Sequence, residues 1–197
     1  MSWIALELYK HGMVKIGEFR LTSGLYSPFY IDMRKLYSYP DLARKVVGEL
    51  VSRIPLDDVD VVAGVETAGI PLAAFIACLT SRPMAYVRKE KKDHGTSSAV
   101  EGVVRGRRVA IVDDVVTTGN SLTKAVQNLI EAGAMPIKAI VLVDREQGAK
   151  KALRNYGVKL YALLTARDIF RDLHSAGLIT KEDYIRVMEY LEKFREE

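Results

Sequence analysis

The stretch VAIVDDVVTTGNSL, residues 109–122, ends an apolar run on two adjacent carboxylates. An apolar, β-branched run without in–out alternation reads as a strand covered on both faces, as in a parallel sheet. Buried charges are costly without partners, so Asp113 and Asp114 need a reason to stand there. Directly behind them come Val115, Val116, Thr117, Thr118, Gly119, Asn120 and Ser121, a turn rich in hydroxyls, and SLTKAVQNLIEAG (121–133) is helical in composition up to Gly133. Strand, turn and helix in that order place the acids at the carboxyl edge of a sheet, where open α/β proteins bind ligands. Backbone N–H groups at a helix N-terminus, with the helix dipole behind them, favour an anion. Ionised carboxylates only accept hydrogen bonds, so they suit the hydroxyls of a sugar carrying that phosphate. The expectation is a ribose 5-phosphate site. The competing reading is that the aspartates begin a turn and Ser121 caps the helix; two acids followed at once by such a turn favour the ligand. Neither G-x-G-x-x-G nor G-x-x-x-x-G-K-[ST] occurs, which sets aside a dinucleotide fingerprint and a P-loop.

Outward from this stretch the pattern repeats. Residues 59–65, 84–87, 108–114, 136–145 and 158–165 read as strands, and 39–54, 68–79, 121–133 and 148–157 as helices, with Pro40 at a first turn and Gly157 at an end. Alternating strands and helices imply right-handed crossovers and an α/β fold with an open, mainly parallel sheet flanked by helices. Before this core, residues 2–11 read as a short helix, followed by strands near 18–22 and 28–33 around a Ser23-Gly24 turn. After it, residues 180–197 form an amphipathic helix whose Thr180 and Asp183 resemble a capping box. The chain is read as one domain: an N-terminal segment of about 1–40, a core of about 41–170 and a C-terminal helix of about 180–196.

Composition narrows the function. The chain has 197 residues, 49% hydrophobic and 27% charged, and a net charge of +4, too mild to indicate nucleic-acid binding. No run is long enough for a membrane span and the N-terminus lacks a signal-peptide pattern, so the expected setting is the cytoplasm. The lone cysteine, Cys78 in PLAAFIACL, fits a reducing compartment and is expected to be a small buried side chain. Charge is concentrated instead: Arg88, Lys89, Lys91 and Lys92 cluster in YVRKEKKDHG, a sign of a small, highly charged anion. Arg105, Arg107 and Arg108 have no evident partner and are read as solvent-facing.

VAIVDDVVTTGNSL closely resembles the phosphoribosyl-diphosphate (PRPP) signature of type I phosphoribosyltransferases. Three further stretches, GEFRLTSGLYSPFYID, RKEKKDHG and VDREQG, narrow the resemblance to orotate phosphoribosyltransferases. The resemblance implies a parallel core sheet with a small N-terminal hood over the base, and a reaction joining orotate to PRPP to give orotidine 5′-monophosphate and pyrophosphate with Mg²⁺. Position by position, it implies that residues Asp113 to Ser121 hold the ribose 5-phosphate. Arg88, Lys89, Lys92 and His94 match the basic loop that closes over pyrophosphate and reaches a neighbouring subunit's site, implying a homodimer. Thr117 and Arg145 match positions that contact orotate, with Tyr30 and Ile31 near the base. No protein-held metal is expected, Mg²⁺ arriving mainly with PRPP. The chain departs from many members at Thr22 and Tyr26, where lysine is frequent, and in GVETAG, which lacks a lysine.

The chemistry suits these residues. Displacing pyrophosphate leaves positive charge on the ribose and negative charge on the leaving group, so cations must screen the latter. Lys92, His94, Asp113 and Asp114 are the candidate catalytic groups, Asp114 as acceptor of the orotate N1 proton. Gly95 suits a lid, although a solvated surface turn is the usual fate of such a charge run. Arg145, at the same sheet edge, can grip a carboxylate bidentately, the alternative being an exposed pair with Asp144 or Glu146. A purine phosphoribosyltransferase and a PRPP-sensing regulator are the competing functions; neither needs both the hood motif and the basic loop.

Overall fold

The computed structural model describes residues 2–20, 26–89 and 99–194. Thr22, the Ser23-Gly24 turn, Lys91, Lys92, His94 and Gly95 lie outside them. The chain opens with α1 (Trp3–Lys10), which buries Ile4, Ala5 and Leu8 and ends at His11. β1 (Val14–Arg20) and β2 (Tyr26–Ile31) then pair antiparallel. β1 begins at Val14 rather than at residue 18, because a register shift between Ile16 and Phe19 breaks the alternation that marks a strand in sequence. A 3-10 helix over Met33–Ser38 follows, capped by Asp32, whose carboxylate accepts from the Arg34 N–H. α2 (Pro40–Arg53) has its proline at the first turn, where the missing N–H costs nothing.

Then comes the alternating core: β3 (Val61–Val65), α3 (Gly69–Thr80), β4 (Met84–Val87), β5 (Val100–Glu101), β6 (Arg108–Val116), α4 (Asn120–Glu131), β7 (Met135–Asp144), α5 (Ala149–Arg154) and β8 (Lys159–Thr165). They build one six-stranded sheet in the order β5-β4-β3-β6-β7-β8. Every pairing is parallel except that of the short edge strand β5. This is the open, mainly parallel sheet expected from the apolar runs. Two helices end the chain, α6 (Ala166–Ser175) and α7 (Lys181–Glu192). α6 has no counterpart in the sequence expectations, although Thr165 and Asp168 form a full reciprocal capping box at its start. At α7 only half of the expected box forms: Thr180 Oγ1 accepts from the Asp183 N–H at 3.1 Å.

The sheet separates two apolar layers. On one face Val62, Ala110, Val112, Ile140 and Leu142 pack with α2, α3, α6, α7 and the N-terminal elements, through residues such as Leu8, Phe29 and Phe170. On the other, Ala63, Ile111 and Val141 pack against Leu122, Val126 and Leu129 of α4 and Leu153 of α5. The N-terminal hairpin thus shares a core with the sheet. α3 lies unusually close to it. A Cβ on Gly69 would run into the Val112 carbonyl, and one on Gly64 would sit 2.7 Å from the Gly69 carbonyl oxygen. Glycine at both positions lets β6 run straight under the start of α3.

One sequence expectation is corrected and another extended. Cys78 is exposed, on the outer side of α3, while its neighbours Ile76 and Ala77 face inward. Arg108 is solvent-facing as expected but has a partner: its guanidinium and backbone N–H all donate to Asp60, with Nη2–Oδ1 at 2.9 Å.

Candidate active site

β6 carries its acids further than expected, since the strand continues past them to Val116 and pairs with β7 up to Asp144. Asp113 and Asp114 are both half-buried. Their hydrogen bonds are local: the Asp114 N–H donates to Asp113 Oδ1 at 2.9 Å, and the Val115 N–H to Asp114 Oδ1 at 2.7 Å. Among the described residues neither carboxylate has a basic partner within ion-pair distance. Burial therefore dominates their titration. It pushes Asp113 up to about 8, helped by repulsion from Asp114, while the charge of Lys89 pulls it back. Asp114 is raised as well, again mainly by burial.

The turn after β6 is shaped by Gly119, at φ +89°. That left-handed residue opens α4 with no side-chain cap, so the competing role of Ser121 as the cap does not hold; the helix starts one residue earlier, at Asn120. The first N–H groups of α4 are left for a ligand. Thr118, Asn120 and Ser121 are exposed and Thr117 half-buried, whereas Val116 is buried and Val115 half-buried. Alanines 149 and 152 of α5 pack against Gly119 and hold the turn in place.

Facing this turn, the ends of β3 and β4 contribute Glu66, Arg88 and Lys89. With Asn120, Ser121 and Lys124 they line a cavity of about 300 Å³. Lys89 is held there by its backbone N–H, which donates to Glu66 at 2.9 Å, and Arg88 is paired with Glu101 at 3.3 Å. The sequence reading did not single out Lys124. Its signal was its place one turn into the helix that the phosphate turn opens. Lys92 and His94, the other expected cations, are outside the described residues. A larger cavity, of about 750 Å³ between α1 and the start of α2, is remote from all of these groups.

The third component lies at the ends of β2 and β7. Arg145 follows β7 and its N–H donates to the Val116 carbonyl at 2.9 Å, tying it to the phosphate turn. It is not the exposed surface charge of the competing reading, being only 6% exposed. Its guanidinium lies 4.7 Å from the Phe29 ring centre and Nη2 donates to Ser27 Oγ at 3.1 Å. Burial draws its pKa downward. Tyr30 packs on Phe19 and its hydroxyl accepts from Arg34 Nη2 at 3.2 Å. Ile31 is buried in the first core layer, so its backbone is what it can offer a base. Arg34 also grips both oxygens of Asp32, at 2.7 and 2.9 Å. That pair and Tyr37, whose buried hydroxyl has no partner among the described residues, border the acids and were not singled out from sequence.

Among the described residues no group of three or more His, Cys, Asp or Glu side chains is placed to hold a metal ion. The two β6 carboxylates are hard oxygen donors, and they fit a Mg²⁺ that brings most of its ligands with it on a diphosphate. Likewise, among the described residues no helix is long and apolar enough to cross a membrane.

The chain is similar to known proteins along nearly its whole length. The phosphoribosyl transferase domain model matches residues 38–159. An orotate phosphoribosyltransferase of Staphylothermus marinus is 46% identical over 190 residues, covering 96% of this chain and 94% of that protein. The crystal structure of the orotate phosphoribosyltransferase from Aeropyrum pernix superposes with a TM-score of 0.78 at 38% identity, over 90% of this chain and 99% of that one. Leishmania donovani UMP synthase gives a TM-score of 0.87 at 32% identity; the match covers 96% of this chain but spans 42% of that longer protein.

Proposed function

The chain belongs to the phosphoribosyl transferase domain family, among its orotate phosphoribosyltransferases, and from that premise we propose how its residues divide the transfer of a 5-phosphoribosyl group from PRPP to orotate. The 5-phosphate sits on the open N–H groups and hydroxyls from Thr117 to Ser121, at the head of α4. The ribose hydroxyls face Asp113 and Asp114. Pyrophosphate lies in the cavity between Arg88, Lys89 and Lys124, with Lys92 and His94 brought over it from the basic loop of a second copy of the chain. Orotate stacks beneath the hairpin, its carboxylate toward Arg145, beside Thr117, Tyr30 and the backbone of Ile31.

The observation that carries this reading is the convergence, at one sheet edge, of a half-buried acid pair with no cationic partner among the described residues and an uncapped helix N-terminus. Each feature alone is unfavourable in a free protein; together they complement a sugar phosphate. As the bond from ribose to pyrophosphate breaks, positive charge on the sugar ring lowers the penalty for ionising Asp113 and Asp114. The carboxylates hold the sugar while the cations take up charge on the leaving group. Orotate N1 bonds to the anomeric carbon and its proton passes to Asp114. Asp113 and Asp114 are the residues that would meet a Mg²⁺ arriving with PRPP, which would supply further charge neutralisation. The reading extends to a homodimer in which the loop of residues 88–95 serves the neighbouring site, and to a cytoplasmic role in pyrimidine nucleotide synthesis.

The test follows orotate absorbance with PRPP and Mg²⁺, with adenine, hypoxanthine and uracil in parallel. PRPP-dependent loss of orotate with pyrophosphate release, and silence of the other bases, is expected. PRPP binding without turnover of any base would instead favour a sensor. Turnover of a different base would overturn the roles of Arg145 and the hairpin.

A further inference from the structure

The end of the chain reaches the base site. Gln147, two residues beyond Arg145, is 7% exposed, and its Nε2 donates to the Tyr190 hydroxyl on α7 at 3.0 Å. The Tyr190 ring meets Phe29 edge-on, with centroids 5.9 Å apart and planes at 88°. Phe29 is the platform beneath the Arg145 guanidinium, and Phe170 of α6 packs against it at 4.9 Å. Tyr190 therefore touches the Arg145 turn by two routes, a hydrogen bond accepted from the Gln147 side chain and an aromatic contact to Phe29. Val187 and Leu191, fully buried, fix α7 to the core on either side of it.

Two side-chain atoms in this cluster are buried with no partner among the described residues: Arg145 Nε, a donor, and Gln147 Oε1, an acceptor. Buried polar groups are normally paired, and an unpaired donor beside an unpaired acceptor leaves the turn dependent on other contacts for its position. Backbone bonds hold one side of the turn, the Arg145 N–H donating to the Val116 carbonyl and the Glu146 N–H to Asp144 Oδ1. The contacts through Tyr190 hold the side-chain end, and none of them involves the turn at the head of α4.

We propose that Tyr190 is a positioning residue of the base site, holding the turn of Arg145 and Gln147 against Phe29 so that α7 bears on the grip on orotate through contacts that do not touch the turn holding PRPP. The inference rests on the reading of Arg145 as the group that holds the orotate carboxylate. An aromatic edge and a neutral hydroxyl suit this task. They fix a guanidinium without neutralising it, whereas a carboxylate in the same place would compete with the substrate.

The test is steady-state kinetics on the full-length enzyme, varying each substrate in turn, for Arg145→Gln, Gln147→Leu, Tyr190→Phe and Tyr190→Ala, with thermal unfolding of each. Tyr190→Ala is expected to raise KM for orotate about tenfold, as small misplacements of a binding group do, with KM for PRPP unchanged. Tyr190→Phe keeps the edge contact and should show a smaller rise, matched by Gln147→Leu; these two variants carry the test if Tyr190→Ala does not fold. Adding Tyr190→Phe to Arg145→Gln should cause no further rise. A normal KM for orotate in the Tyr190 and Gln147 variants, alongside a raised one in Arg145→Gln, overturns this inference alone. A normal value in Arg145→Gln overturns the reading of Arg145 and this inference with it. If KM for both substrates rises together as the melting temperature falls, Tyr190 is a packing residue and the inference is overturned.

Discussion

The two ends of β6 carry the same residue chemistry in opposite conditions. At its start, Arg108 closes a fork on Asp60 at the surface, and the guanidinium holds the Asp60 carboxyl down at about 2. At its finish, Asp113 and Asp114 are half-buried with no cation within ion-pair distance among the described residues, and burial drives both upward. One end of the strand is electrostatically complete and the other is not. A complete surface pair contributes little to stability and nothing to chemistry. The incomplete end is the one to which the proposed mechanism assigns the reaction. An acid pair destabilises the free protein until a partner arrives, and a site placed on a rigid strand keeps that tension aimed at one point.

This contrast can be broken most directly by neutralising one acid at each end. Asp114→Asn should lower turnover by about 100-fold or more, the usual scale for a lost general base, while Asp60→Asn should leave it near normal. Near-normal PRPP-dependent consumption of orotate by Asp114→Asn would sink the role as proton acceptor. Next in size is the backbone at the two approaches to the strand. Gly106 enters β6 at φ +70° with nothing near its missing Cβ, whereas Gly119 leaves it at φ +89° with Ala149 Cα 3.1 Å away. Gly106→Ala should cost about 1 kcal/mol of strain, and Gly119→Ala about 2–3 kcal/mol together with weaker PRPP binding. Equal losses of unfolding stability in urea would show that the phosphate turn is not crowded.

A third test uses pH. Asp113 has a native value of about 8 against about 4 in an unfolded chain. The folded state holds the extra proton, so this group's contribution to stability is full below about pH 4 and is lost as pH rises to about 8. Asp113→Asn should therefore be more stable than the parent by about 1–2 kcal/mol at pH 8, with the gap narrowing toward pH 5. A gap that widens on acidification contradicts the burial of that carboxyl. The smallest effect belongs to Asp60, whose lowered value means that its contribution is present above about pH 4 and disappears toward pH 2. Asp60→Asn should shift the melting temperature slightly at neutral pH and not at all in strong acid.

The layered architecture was legible because the runs at 61–65, 108–116 and 135–144 are apolar on both faces, a pattern that a half-exposed strand does not produce. The phosphate turn was legible because its donors are consecutive in sequence. What escaped depends on distance along the chain. Asp60 and Arg108 are 48 residues apart, so an unassigned arginine in sequence became one half of a pair in space. Arg145 was legible as a carboxylate grip but its burial was not, because that needs Phe29 and Ser27, which lie more than a hundred residues earlier. Tyr190 is further separated again from the hairpin it touches. α6 was different: its capping residues Thr165 and Asp168, followed by Ile169, Phe170 and Leu173, carried a local signal that the reading passed over. Cys78 misled because α3 is apolar nearly all round, leaving periodicity too weak to tell its outer face from its inner one.

The raised acid at the end of β6 also bears on the heat of binding. At neutral pH burial favours the protonated form of Asp113 in the free protein, and a ligand whose ribose hydroxyls donate to that group favours the carboxylate. Substrate capture then becomes an exchange in which a proton leaves for the buffer. Calorimetric titration with Mg²⁺ and PRPP in buffers of different ionisation enthalpy should give heats that vary linearly with that enthalpy, and Asp113→Asn should flatten the line. The strand end would then act as a proton counter as well as a cradle, and affinity for PRPP would strengthen as the medium turns alkaline.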